Sequence, residues 1–141
     1  MTAAVHGSST MHTNGPIANI IDTSSSNFAN FDGSGASAPW WVRFEVNEAA
    51  MGLKIDPRDG NAAHSPKKLK IYCLPEVTTP TSDAAATAVL DQTIASAWDA
   101  ATQFTFGSMC TGKAIEVSFV ESHDGNAPNI QLIQLFPPFT G

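Results

Sequence analysis

Four histidines, two cysteines and a scatter of aspartates are the residues able to do chemistry in this 141-residue chain. A serine nucleophile of the hydrolase type needs a G-x-S-x-G turn, and none occurs; Ser34, in Gly33-Ser34-Gly35, has the composition of a flexible loop. His6 and His12 fall in a polar N-terminal stretch. His64 and His123 sit in turn-rich segments with no nucleophile beside them, so all four read as surface loop histidines. A phosphate-binding glycine fingerprint and an H-E-x-x-H pair are both missing. The expectation is a protein that binds and does not catalyse.

Metals and redox chemistry are equally poorly provided for. Cys73 and Cys110 form no CxxC and have no histidine at ligand spacing, which disfavours zinc. Both lie in apolar, strand-like runs, which favours buried free thiols over a disulfide. Asp56-Pro57-Arg58-Asp59-Gly60 lacks the spacing and the terminal Glu of an EF-hand. Asp22 and Asp32, at the start and middle of a polar segment over 22–39, are the candidate ligands for a calcium held by irregular loops; capping turns is their competing role. No other cofactor is implied.

The elements that must carry these residues read as strands. Trp40, Val42, Phe44 and Val46 alternate with Trp41, Arg43 and Glu45, the period of a half-buried strand. Leu53 and Ile55 begin a second strand, ended by Asp56-Pro57. Leu69, Ile71 and Cys73 mark a third, with Lys68, Lys70 and Tyr72 on its outer face and Pro75 as its stop. Phe104 with Phe106, and Ile115, Val117 and Phe119 with Glu116 and Ser118 outward, add two more. Ile130 to Phe136 is the last, and its broken alternation calls for a bulge or burial on both faces. Residues 76–103 fit a loop with one helical turn, on the spacing of Leu90, Ile94 and Trp98, with an irregular connection plus a short strand as the alternative. Residues 1–15 read as a flexible leader and 16–141 as a single domain. Many short strands between turns predict an all-β fold, an antiparallel β-sandwich or jelly roll.

Phe28 and Phe31 stand in the polar 22–39 segment with Asn27, Asn30 and Asp32, as ligand-facing aromatics or as rings folded back on the core. Asp59-Gly60-Asn61-Ala62 recurs as Asp124-Gly125-Asn126-Ala127, which reads as two similar turns. Net charge is −6 with seven Lys and Arg, a poor composition for binding nucleic acid. The one basic cluster, Lys67-Lys68-Leu69-Lys70, reads as a solvated strand edge. No apolar run is long enough for a membrane span. An apolar leader core and a glycosylation sequon are also missing, which sets the expectation of a cytoplasmic, intracellular protein.

Taken in order, Ile20-Ile21-Asp22, Asn27-Phe28, Asp32-Gly33-Ser34 and Trp41-Val42-Arg43-Phe44 resemble the opening of a galactose-binding-like jelly roll, the superfamily of discoidin and DOC domains. Leu53-Lys54-Ile55-Asp56, Ser65 to Ile71, and the segment Ile115 to Phe136 extend the resemblance over roughly residues 17–138. Thr23 and Ala29 stand where those families carry Gly and Trp. Ala127, Asn129 and Gln131 stand where DOC domains carry Asp, His and Arg. The resemblance implies a rigid sandwich binding through loops at one end. In a DOC-like adaptor the partner is a protein, within a ubiquitin ligase or another large assembly; the alternative is a discoidin-like module that binds carbohydrate. Either ligand would meet Phe28, Asn30, Phe31, Asp32, Arg58, His123, Asp124, Asn126, Asn129 and Gln131, in the loops over 22–39, 56–66 and 121–129.

Overall fold

The computed structural model describes residues 3–23, 27–32 and 38–138. Its strands are β1 (Ala3–Ser8), β2 (Ala29–Asn30), β3 (Trp40–Val46), β4 (Ala50–Pro57), β5 (Pro66–Leu74), β6 (Thr87–Thr93), β7 (Thr102–Cys110), β8 (Ala114–Ser122) and β9 (Asn129–Phe136). All paired strands run antiparallel. They form one sheet in the order β1-β3-β8-β5-β6 and another in the order β2-β9-β4-β7, a jelly-roll sandwich. Short 3-10 helices at Ile17–Ile21 and Ala62–His64 complete the regular structure.

Period-two alternation is what makes the sandwich. On β3, Trp40, Val42, Phe44 and Val46 point inward and are buried. They meet Leu53 and Ile55 of β4, Leu69 and Ile71 of β5, Phe104 and Phe106 of β7, and Ile115, Val117 and Phe119 of β8 in one core. Inward faces of two stacked sheets interdigitate in this way because each alone would leave a hydrophobic face in water.

Several expectations are corrected here. Ala3–Ser8 is not a loose leader: it adds to the free edge of β3, with Ala3 and Val5 packed on the core. Its small, polar residues hide a strand whose stability comes from the backbone partners β3 offers. Residues 76–103 contain no helix; β6 pairs with β5, and Ile94 N–H donates to the Lys67 carbonyl at 2.7 Å. The i, i+4, i+8 spacing of Leu90, Ile94 and Trp98 serves partial burial against the core instead. Trp98 closes the loop: its N–H donates to Ser65 Oγ at 3.1 Å, its indole N–H to the Pro66 carbonyl at 2.8 Å, and its ring meets Phe104 edge-on at 5.9 Å. The lysine-rich strand β5 is an interior strand between β6 and β8, not an edge. Glu116 and Ser118 do leave the core face of β8, yet both are buried, set low between neighbouring strands and the segment after β5, which Arg43 ties down at the Val77 carbonyl.

The cysteines are also corrected. Cys73, late in β5, and Cys110, at the end of β7, are joined in a disulfide that ties one sheet to the other. Apolar surroundings are compatible with free thiols and with a bridge. What decides is that the two chains cross the sandwich with Cα atoms 5.5 Å apart, a proximity no sequence pattern records.

Candidate functional site

At the end of the sandwich away from the disulfide, several connections converge on a polar cleft of about 630 Å³. One wall comes from the segment between β1 and β2. His12 N–H donates to the Asn30 carbonyl at 2.8 Å, and Asn30 N–H to the Gly15 carbonyl at 2.9 Å. Asn30 Nδ2 then donates to Asn14 Oδ1 at 2.9 Å. The other walls are the two Asp-Gly-Asn-Ala turns. Both glycines take positive φ, Gly60 at 73° and Gly125 at 78°, the left-handed conformation that glycine reaches without strain. The repeated tetrapeptide is thus two turns of one kind, and both border the cleft, with Asn61 and Asn126 lining it.

The turns are locked together by side chains. His64, at the end of the first, pairs through Nδ1 with an Asp124 carboxylate oxygen of the second. The other Asp124 oxygen accepts from Asn126 N–H at 3.0 Å and from Ser122 Oγ at 3.3 Å. Partial burial pushes the Asp124 carboxyl up, but hydrogen bonds from Asn126 and the neighbouring His64 outweigh it and hold the group below its ordinary value. His123 N–H donates to the Ser65 carbonyl at 3.0 Å, a second tie between the turns.

Two features of the cleft point to a ligand. Asn129, first residue of β9, is only 7 % exposed and its Oδ1 has no hydrogen-bond partner. A buried amide oxygen left unpaired costs about 1–3 kcal/mol, so the fold holds Asn129 at the cleft wall without satisfying it fully. Arg58, just past β4, lies over the Phe28 ring at 3.9 Å from its centroid. The contact holds the guanidinium at the rim by cation–π attraction while leaving it exposed.

The structure gathers Asn30, Phe31, Asp32, Arg58, Asn126 and Asn129 at the cleft, with Phe28 beneath Arg58 and Asp124 behind His64. Phe31 lines it only from below: it is 1 % exposed and packs edge-on to Phe119 at 5.4 Å, so it is a core residue. His123 and Gln131 do not line the cleft; His123 Nε2 is buried without a partner. Sequence reasoning missed His12, Trp40, Asn61 and His64. The signal for the latter two was present, since whatever the second Asp-Gly-Asn-Ala turn supplies, the first is built to supply as well. Among the described residues no three His, Cys, Asp or Glu side chains come together as a metal-holding group.

Comparison of the whole structure with solved ones shows what kind of sandwich this is. A family 32 carbohydrate-binding module from Clostridium perfringens NanJ, in complex with galactose, superposes with a TM-score of 0.72 at 16 % identity, over 95 % of this chain and 91 % of that one. The fold is the galactose-binding-like jelly roll. A second such module, GH31 CBM32-2 bound to GalNAc, gives 0.66 at 18 % identity, over 98 % and 99 % of the two chains. The family 32 module of AlyQ, in complex with 4,5-unsaturated mannuronic acid, gives 0.68 at 16 % identity, over 96 % and 93 %. No family model and no curated protein matches the sequence.

Proposed function

We propose that this galactose-binding-like domain is a carbohydrate-binding module whose end cleft takes a sugar ring. The observation that carries the reading is the polar lining of the cleft, where Asn30, Asp32, Asn61, Asn126 and Asn129 meet the exposed Arg58. Planar amides, a carboxylate and a guanidinium offer paired donors and acceptors to vicinal hydroxyls. Similar folds holding galactose, GalNAc and an unsaturated uronic acid support this side of the expectation over the protein-binding adaptor, for which the comparisons offer no support. The disulfide favours an oxidising compartment over the cytoplasmic setting expected from composition.

A glycan array followed by calorimetry tests the reading. Some monosaccharide or terminal sugar binds with a Kd of about 1 mM or tighter. Arg58→Ala and Asn129→Ala each weaken it about tenfold or more, the scale of one lost charged or buried hydrogen bond. An array with no sugar signal, together with a protein partner whose capture depends on Arg58, returns the adaptor reading.

A further inference from the structure

The outer face of the five-stranded sheet carries a second and larger groove, about 790 Å³, that shares no lining residue with the end cleft. Its floor is the Arg43–Glu116 pair, cross-strand neighbours on β3 and β8. Arg43 Nε and Nη2 both donate to Glu116 Oε1, at 3.0 and 2.9 Å, and the two side chains are only 12 % and 7 % exposed. The third guanidinium nitrogen, Nη1, donates to the Val77 carbonyl at 2.8 Å and pins the segment after β5 as a wall. That wall is itself preformed by backbone turns, from Thr79 to Glu76, Asp83 to Pro80 and Ala86 to Asp83. On the opposite rim, a bulge in β1 between Val5 and Gly7 inserts His6 beside Trp41.

Trp41 and Tyr72 flank the pair, both half-exposed. Trp41 sits opposite Ser118 on β8, and Tyr72 opposite Glu116 on the same strand. Two strand spacings across and two residues along separate them, roughly 12 Å between their Cα positions. Half-exposed aromatics beside a fully paired, rigid polar floor suit a polyhydroxylated chain: rings stack on the indole and phenol, and hydroxyls replace water on the ion pair. An apolar peptide would strip the remaining water from the pair without offering side-chain hydrogen bonds in return. Because Glu116 cancels Arg43, the groove holds no spare charge for an anion.

We infer that this groove is a second saccharide site, independent of the end cleft, which binds a short neutral oligosaccharide across Trp41 and Tyr72. The test is a 1H-15N spectrum of the full chain titrated with maltotriose, cellotriose, mannotriose, galactotriose and, as the anionic control, trigalacturonate. The indole signals of Trp40 and Trp98 report on the rest of the fold. At least one neutral trisaccharide shifts the Trp41 indole with a Kd of about 1 mM or tighter. The shift persists in Arg58→Ala/Asn129→Ala and weakens at least tenfold in Tyr72→Ala, with Trp98 unmoved. Trp41→Ala, followed by calorimetry, supplies the second variant should Tyr72→Ala disturb the fold. The inference is overturned if no neutral trisaccharide moves the Trp41 indole, if only trigalacturonate does, or if the cleft variant abolishes the shift while Tyr72→Ala keeps it. The last pattern would leave the end cleft as a working site, so the two readings fail separately.

Discussion

Reducing the Cys73–Cys110 bond removes the one covalent tie between the sheets and no side-chain volume. The bridge closes a loop of sequence separation 37, and the loop-entropy relation gives about 4 kcal/mol of stabilisation for a loop of that length. Unfolding entropy near 2.1 cal/mol/K per residue, taken over 141 residues, converts this to a fall in Tm of roughly 13 °C. The assay is near-UV circular dichroism on protein refolded from denaturant with and without reductant, so that reduction is complete before the fold forms. Sugar affinity at the end cleft stays within about twofold at temperatures where both forms are folded. The bond lies by Ala50 at the start of β4, whereas the cleft begins at Arg58 past its end. A Tm difference under about 4 °C, equivalent to about 1 kcal/mol, would refute the loop-entropy reasoning, and two titratable thiols in air-oxidised protein would refute the bond.

Other perturbations test the polar networks. Arg43→Ala strands Glu116 in the groove floor and costs about 3 kcal/mol in denaturant unfolding, whereas Arg43→Met with Glu116→Leu together cost much less; equal losses would mean the pair is not buried as a unit. Burial pushes the Glu116 carboxyl above its ordinary value against the pull of Arg43, so Glu116→Gln is tolerated better than Arg43→Ala. Asp124, held below 3.8 in the folded state, stabilises above that pH, and the contribution disappears as pH falls through the folded value. Asp124→Asn therefore flattens the acid limb of a Tm–pH curve. Excess calcium against chelator leaves Tm unmoved; a rise of several degrees with calcium would revive an ion at Asp22 and Asp32.

The strands were the most legible part of this chain. Trp40 to Val46 alternates so regularly that only a half-buried strand accommodates it, and the same holds for Leu69 to Cys73; Ile115 to Phe119 alternates in the same way, although its outer residues Glu116 and Ser118 are buried as well. Positive φ at Gly60 and Gly125 was readable too, because Asp-Gly-Asn is turn chemistry wherever it falls. Ala3–Ser8 and Thr87–Thr93 were not legible: each is a strand at a sheet edge, held by the neighbour it pairs with rather than by a pattern of its own.

Local chemistry therefore determined the all-β class, the two glycine turns and a roster of polar loop residues at which a ligand would act. Only the tertiary structure decided which of them meet. It sent Phe31 into the core, put His64 rather than His123 at the cleft, left Asn129 Oδ1 buried and unpaired, joined Cys73 to Cys110 and set the Arg43–Glu116 pair into a groove floor beside the segment that follows β5. The physical reason is range. Periodicity and turn preference act between residues a few positions apart, whereas cleft, groove and disulfide are each made by strands and loops that pair across the sandwich, far apart in the chain.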